Sequence, residues 1–211
     1  MINYKHRSIN IDTSNVCTLE CPYCTRQHLK NINIKIPGSM LNVERFNKIV
    51  NYFNGSIVFC GQYSDPIFNT NFIDLLKICK NKRKRTIIFT AASHKNKKWY
   101  ENAFKANLTA IWIFGIDGLP YESFLHRINQ DGEKLYEMMK VAKKIGVRTV
   151  RWQYIVFSYN EKHIDEAKKL AEQIGVTFRL VYSSRFNLAD ILKPSNKNYS
   201  LESTWSEQYG L

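Results

Sequence analysis

Three cysteines, Cys17, Cys21 and Cys24, fall within eight positions, while Cys60 and Cys79 stand far from them in the chain. Four sulfurs would close a structural tetrahedral site, whereas three leave one coordination position open. Two chemistries fit that count. Three thiolates can hold a four-iron cluster whose remaining iron binds and reduces a small molecule. Alternatively His28, four residues after Cys24, completes a Cys3His set around one structural zinc ion. Five cysteines at these spacings do not make a secreted disulfide framework, and a reducing compartment leaves thiols available to metal.

Other polar residues gather after apolar runs. Gly61-Gln62-Tyr63-Ser64-Asp65-Pro66 follows one run, and Asp117-Gly118, with His126-Arg127 shortly after, follows another. The Asp65 carboxylate can pair with an ammonium, or Ser64-Asp65-Pro66 can simply turn the chain. The Arg127 fork matches a carboxylate, or serves a surface ion pair. Asp117 either touches a ligand or caps a turn. Cys79 continues an apolar helical stripe and reads as core, and Cys60 reads as a small buried residue ending a strand.

The elements that must position these residues alternate along the chain. Candidate strands are Ser8–Thr13, Ser56–Cys60, Thr86–Ala91, Thr109–Gly115, Val147–Phe157 and Thr177–Tyr182. Between them apolar residues recur at three- and four-residue steps. Phe46, Ile49, Val50 and Phe53 mark the first helix, and Phe72, Leu75, Leu76 and Cys79 the second. A weaker pattern spans Lys97–Ala106; Leu135, Met138, Met139, Ala142 and Ile145 mark the fourth, and Ile164, Ala167, Leu170, Ala171 and Ile174 the fifth. Ile145-Gly146-Val147 and Ile174-Gly175-Val176 both lead from helix to strand, where a glycine can take the left-handed conformation that closes the helix.

Six strands alternating with helices imply parallel crossovers in an α/β protein. A closed eight-fold barrel takes about 250 residues, so 211 residues predict an open (β/α)6 partial TIM barrel in a single domain. The doubly wound sheet is the alternative. The core is expected over 1–192, with 193–211 a tail that covers the substrate site. In either sheet, ligands collect at the carboxyl ends of the strands, where the cysteine loop, Gly61–Pro66 and Asp117–Arg127 all fall. By two-residue alternation, allowing for one break between Arg148 and Arg151, Arg148, Arg151 and Gln153 share one face of the fifth strand, towards either the barrel mouth or solvent and helix ends. Asn160 is expected to cap the helix that follows.

Hydrophobic residues make up 44% and charged residues 23% of the chain, which excludes a disordered tail. No apolar run approaches the roughly 18 residues that cross a bilayer, and no leader-like apolar stretch opens the sequence. These features predict a cytoplasmic protein without a membrane partner. The net charge of +13 favours anionic partners, whether RNA, DNA, a nucleotide or an acidic electron-transfer protein. The run Lys80–Arg85 reads as a solvated connection rather than a dedicated nucleic-acid patch.

The C-x3-C-x2-C spacing, with aromatic Tyr23 before the last cysteine, resembles the signature of the radical S-adenosylmethionine (SAM) superfamily. The resemblance extends from the first strand to about the sixth. It implies a [4Fe–4S] cluster on Cys17, Cys21 and Cys24, with SAM at the open iron and Tyr23 beside it. Cys60–Pro66 is similar to the superfamily's Gly-Gly-Glu-Pro motif, which binds the methionine amino group; Asp65 replaces the glutamate and only Gly61 of the glycines remains. Gly115-Ile116-Asp117-Gly118 resembles the Ser-x-Asp-Gly stretch of the SPASM/twitch subgroup, and Arg127 falls where an arginine grips the methionine carboxylate. The serine, a ribose contact there, is Gly115 here. Cysteines for auxiliary clusters are absent after Cys79, which implies a single cluster.

The resemblance implies reductive cleavage of SAM to methionine and a 5′-deoxyadenosyl radical that takes hydrogen from a substrate. The electron comes from a flavodoxin- or ferredoxin-like donor. The subgroup points to a peptide or protein substrate, and the basic charge to a nucleotide or RNA. A different class of reading is a zinc-stabilised basic module that binds nucleic acid, which explains the charge and His28 but not Asp65 or Arg127.

Overall fold

A computed structural model describes residues 8–183, 191–196 and 199. Six strands appear where the apolar, β-branched runs fall: β1 (Ser8–Ile11), β2 (Ser56–Phe59), β3 (Thr86–Thr90), β4 (Ile111–Gly115), β5 (Thr149–Ile155) and β6 (Thr177–Val181). The helices are α1 (Thr25–Asn31), α2 (Val43–Tyr52), α3 (Phe72–Asn81), α4 (Lys97–Ala106), α5 (Gly132–Ile145) and α6 (Ile164–Gln173). Helices α2 to α6 match the five periodic stretches. Helix α1 carries no such stripe, because it buries none of its seven residues. Asn42, Asn96 and Asp131 start α2, α4 and α5 by accepting a backbone N–H three residues on. Gly146 closes α5 at φ +95°, and Gly175 lies just past α6 at φ +65°, the left-handed conformation expected of both.

Every strand pairs in parallel with its sequence neighbour, in the order β1 to β6. A doubly wound sheet reverses its strand order at a switch point, and this order never reverses. Right-handed crossovers therefore lay the helices on one face, and the sheet curls as an open partial barrel with β1 and β6 as its edges. Strand residues Phe59, Ile88, Trp112, Phe114, Trp152 and Tyr154 pack outwards against helix residues such as Phe46, Leu76, Phe104 and Met139. Val58, Ile87 and Ile113, with Cys60, Phe89 and Ile111, make a smaller cluster on the concave face. Cys79 is wholly buried in the main core.

After β6 the chain returns to the loop that follows β5. Ser158 donates through its N–H to Leu192 O and through its hydroxyl to Ile191 O, and Asn196 N donates to Glu161. The rest of the expected tail, and residues 1–7, lie outside the described residues.

The ring of Phe104 stands edge-on to Trp112, with centroids 4.9 Å apart and planes at 85°, and both side chains are fully buried. Removing a ring from such a site leaves a cavity. Phe104→Ala is expected to destabilise the protein by about 3–5 kcal/mol, read as a lower urea midpoint with an unchanged slope.

Candidate active site

The carboxyl ends of the strands carry three loops that matter. The first, between β1 and α1, holds Cys17, Cys21 and Cys24, all partly buried free thiols. This loop is tied on both sides. Asp65 N donates to Val16 O on the β2 side; on the β4 side Glu20 N donates to Ile128 O and Asn129 Nδ2 to Thr18 O. The cysteines are thus suspended between the two other loops.

Burial pushes the Cys17 thiol up to about 12, the charge of Asp65 adds to this, and Arg26 opposes it. Burial also raises Cys21, against the nearby Arg127 guanidinium. Burial thus opposes ionisation of Cys17 and Cys21, which a cationic partner would favour. Arg26, two residues after Cys24, has Nε and Nη1 buried without an acceptor, a further demand for negative charge beside the loop. His28 is exposed on α1. Among the described residues no three His, Cys, Asp or Glu side chains gather around a single-ion site.

The second loop, Gly61–Pro66, is built by a carboxylate that sequence reasoning missed. Asp12, just past β1, accepts from Gln62 N, Tyr63 N and the Ser64 hydroxyl. Its only signal in the sequence is a lone acid at the end of an apolar run. A Cβ on Gly61 would lie 1.4 Å from the Ser64 carbonyl oxygen, so the turn admits only glycine. Asp65 is buried, and its carboxylate accepts from Ile67 N, the Thr90 hydroxyl, Ala91 N and Ala92 N. Burial raises its pKa despite those four donors. The side chain both starts the turn at Pro66–Phe68 and fastens the end of β3.

The third loop follows β4. Asp117 is fully buried. Its Oδ2 lies 2.7 Å from Arg127 Nε and 3.3 Å from His126 Nδ1, and its Oδ1 accepts from Ile155 N at 2.9 Å. Burial alone would raise this carboxyl, but Arg127 and His126 hold it below the usual range. Burial works against the Arg127 charge, and Asp117 more than compensates for it. The backbone carbonyl of Asp117 accepts from the Tyr159 hydroxyl. Tyr23 stacks on His126 at 6.0 Å, His126 lies 4.1 Å from the ring of Phe157, and Phe157 stacks on Tyr159. This row of rings carries the cysteine loop across to β5.

Asp65 thus lies within electrostatic reach of Cys17, and Arg127 and Asp117 within reach of Cys21, while Tyr23 sits in the cysteine loop against His126 and Gly61 in the turn fastened by Asp12. Cys60 faces the concave cluster at the end of β2. Arg151 and Gln153 lie on the concave face, in register with Ile113 and Gly115, whereas Arg148 is exposed before β5 begins. The Lys80–Arg85 run joins α3 to the amino end of β3, at the opposite end of the sheet. Asn160 does not cap α6. Its Oδ1 accepts from Phe157 N and its Nδ2 donates to Ile155 O, so it locks the turn after β5, because α6 starts only at Ile164.

The SuiB protein of Streptococcus suis bound to S-adenosylmethionine superimposes with a TM-score of 0.69 at 14% identity, covering 92% of this chain and 44% of that one. SuiB bound to the precursor peptide SuiA gives 0.67 at 14% identity, with 86% and 40% covered. TYW1 with a lysine–pyruvate adduct gives 0.60 at 12% identity, with 89% and 69% covered. The chain thus spans less than half the length of SuiB, and at these identities the likeness is one of fold. No curated protein sequence matches it. No helix among the described residues is long and apolar enough to cross a membrane. The sequence profile of the radical SAM superfamily matches residues 11–173, a span that runs from the end of β1 to the end of α6 and contains all three loops. With that match and the parallel partial barrel, this chain belongs to the radical SAM superfamily.

Proposed function

We propose that this protein binds a [4Fe–4S] cluster on Cys17, Cys21 and Cys24 and uses SAM to act on a peptide or protein side chain. The observation that carries the reading is the juxtaposition of three free thiols with the Arg127–Asp117 pair across the strand ends. The donor set suits the cluster: three free thiols in one loop, two of which, Cys17 and Cys21, burial holds against ionising, and the buried Arg26 N–H groups beside them. Held by Cys17, Cys21 and Cys24, such a cluster would supply the one-electron reduction that cleaves the SAM sulfonium to methionine and a 5′-deoxyadenosyl radical, the electron coming from a flavodoxin- or ferredoxin-like donor.

The protein's own share is placement. Arg127 offers a planar fork to the methionine carboxylate, and Asp117 keeps that fork charged and still. Asp12 and Gly61 shape the turn whose backbone lies beside the methionine amino group, while Asp65 positions that turn through β3. Tyr23 gives an apolar ring face next to the last cysteine. Gln153 and Arg151, on the concave face, are placed to meet substrate. Residues 191–196 hydrogen-bond to the loop after β5, which supports a tail that covers the substrate site. The peptide-bound SuiB neighbour supports a peptide substrate over a nucleotide or RNA.

Two outcomes test this. Anaerobically reconstituted protein with a strong reductant should release 5′-deoxyadenosine from SAM, and Cys17→Ala, Cys21→Ala and Cys24→Ala should each abolish release. Normal release by all three variants would sink the assignment, as would zinc without iron or sulfide in the purified protein.

The second concerns Asp117. A carboxyl held below its ordinary pKa contributes stability that is fully present above the unfolded value, about 3.9, and is lost as pH falls through the folded value. Asp117→Asn strands a buried guanidinium and should cost roughly 3–5 kcal/mol. Urea midpoints should show that gap constant from neutrality down to about pH 5 and closing below it. A gap that opened on acidification would contradict the pairing.

A further inference from the structure

Gly115 ends β4 on the concave face, in register with Gln153. Its φ is not in the left-handed region, so the backbone there is open to any residue and asks nothing special of glycine. What glycine provides is room. A Cβ at this position would lie 2.8 Å from Arg127 Nη2 and 3.1 Å from Arg127 Cζ. The guanidinium lies across the strand end in the space that any side chain would take.

The strand cannot yield easily. Gln130 Nε2 donates both to Gly115 O at 2.9 Å and to Ala91 O at 2.6 Å, pinning the ends of β4 and β3 together. Ala91 Cβ closes the far side of the seat, 3.5 Å from the Cβ position. A side chain at 115 would therefore displace the flexible arginine, not the backbone, and would lift Nε away from Asp117 Oδ2. The Arg127 side chain is 13% exposed, and Asp117 is its only ion-pair partner among the described residues. The Nη edge thus remains for a ligand.

We infer that Gly115 is a positioning residue that seats the Arg127 guanidinium against the end of β4, with Nε on Asp117 and the Nη groups aimed at a ligand carboxylate. The inference rests on the SAM reading above, in which that carboxylate belongs to the methionine moiety. It also gives the glycine in the serine's place a use here: a hydroxymethyl group at 115 would push the guanidinium out of its present seat.

The test is equilibrium binding of SAM and of decarboxylated SAM to reconstituted protein with its cluster oxidised, so that no cleavage occurs. The wild-type protein should prefer SAM by at least about tenfold, the scale of a charge-assisted pair. Gly115→Ala should narrow that preference to within about threefold while binding the decarboxylated compound with near wild-type affinity. Arg127→Met should narrow it equally, and adding Gly115→Ala to Arg127→Met should change nothing further. Arg127→Lys, which leaves Gly115 in place but cannot fill the seat, gives an independent reading and should also lose the preference. Full preference in Gly115→Ala or in Arg127→Lys would overturn the inference, as would equal wild-type affinity for the two compounds. Failure of the wild-type protein to bind either compound would instead overturn the SAM reading itself.

Discussion

A parallel sheet leaves its strand ends unpaired just where a ligand must sit, and buried carboxylates hold those ends together in this protein. Asp117 is the strongest instance. Fully buried, it gathers Arg127 and His126 from its own loop and Ile155 N from β5. A buried charge is tolerated only when paired and hydrogen-bonded, so these groups stand or fall together. The same device recurs along the sheet. Asp12, after β1, fastens the loop after β2, and Asp65, after β2, fastens the end of β3. Each acid accepts N–H groups from the strand or loop next in the sheet.

Those clamps also hold the loop of three cysteines. The loop takes its anchors from the Asp65 segment on one side and from Ile128 and Asn129 on the other, and Tyr23 leans on His126. Arg127 belongs to both arrangements, since it neutralises Asp117 and opposes the raised pKa of Cys21. The thiol loop and Arg127 are therefore coupled through one buried ion pair.

Much of this was legible in the sequence. The cysteine spacing, the Gly61–Pro66 turn and the position of Arg127 pointed to the three loops that meet at the strand ends, and the alternation of apolar runs gave all six strands because buried parallel strands are near-continuous hydrophobic segments. Helix α1 was not legible, since it has no buried residue to set a period. Asp12 was missed because a single acid after a strand looks like any loop residue until its three donors are seen. Asn160 was read as a helix cap because the cap and the turn lock use the same side chain. Gly115 looked like a lost contact, and only the guanidinium lying over it shows that the space is used.

The proposed function requires that Cys17, Cys21 and Cys24 hold a cluster able to bind SAM beside Arg127. The most direct test is the electron paramagnetic resonance spectrum of the reduced, reconstituted protein before and after SAM is added. A cluster signal whose g values shift on adding SAM, and do not shift with decarboxylated SAM at the same concentration, is the predicted result. A cluster signal indifferent to SAM at saturating concentration would contradict the account.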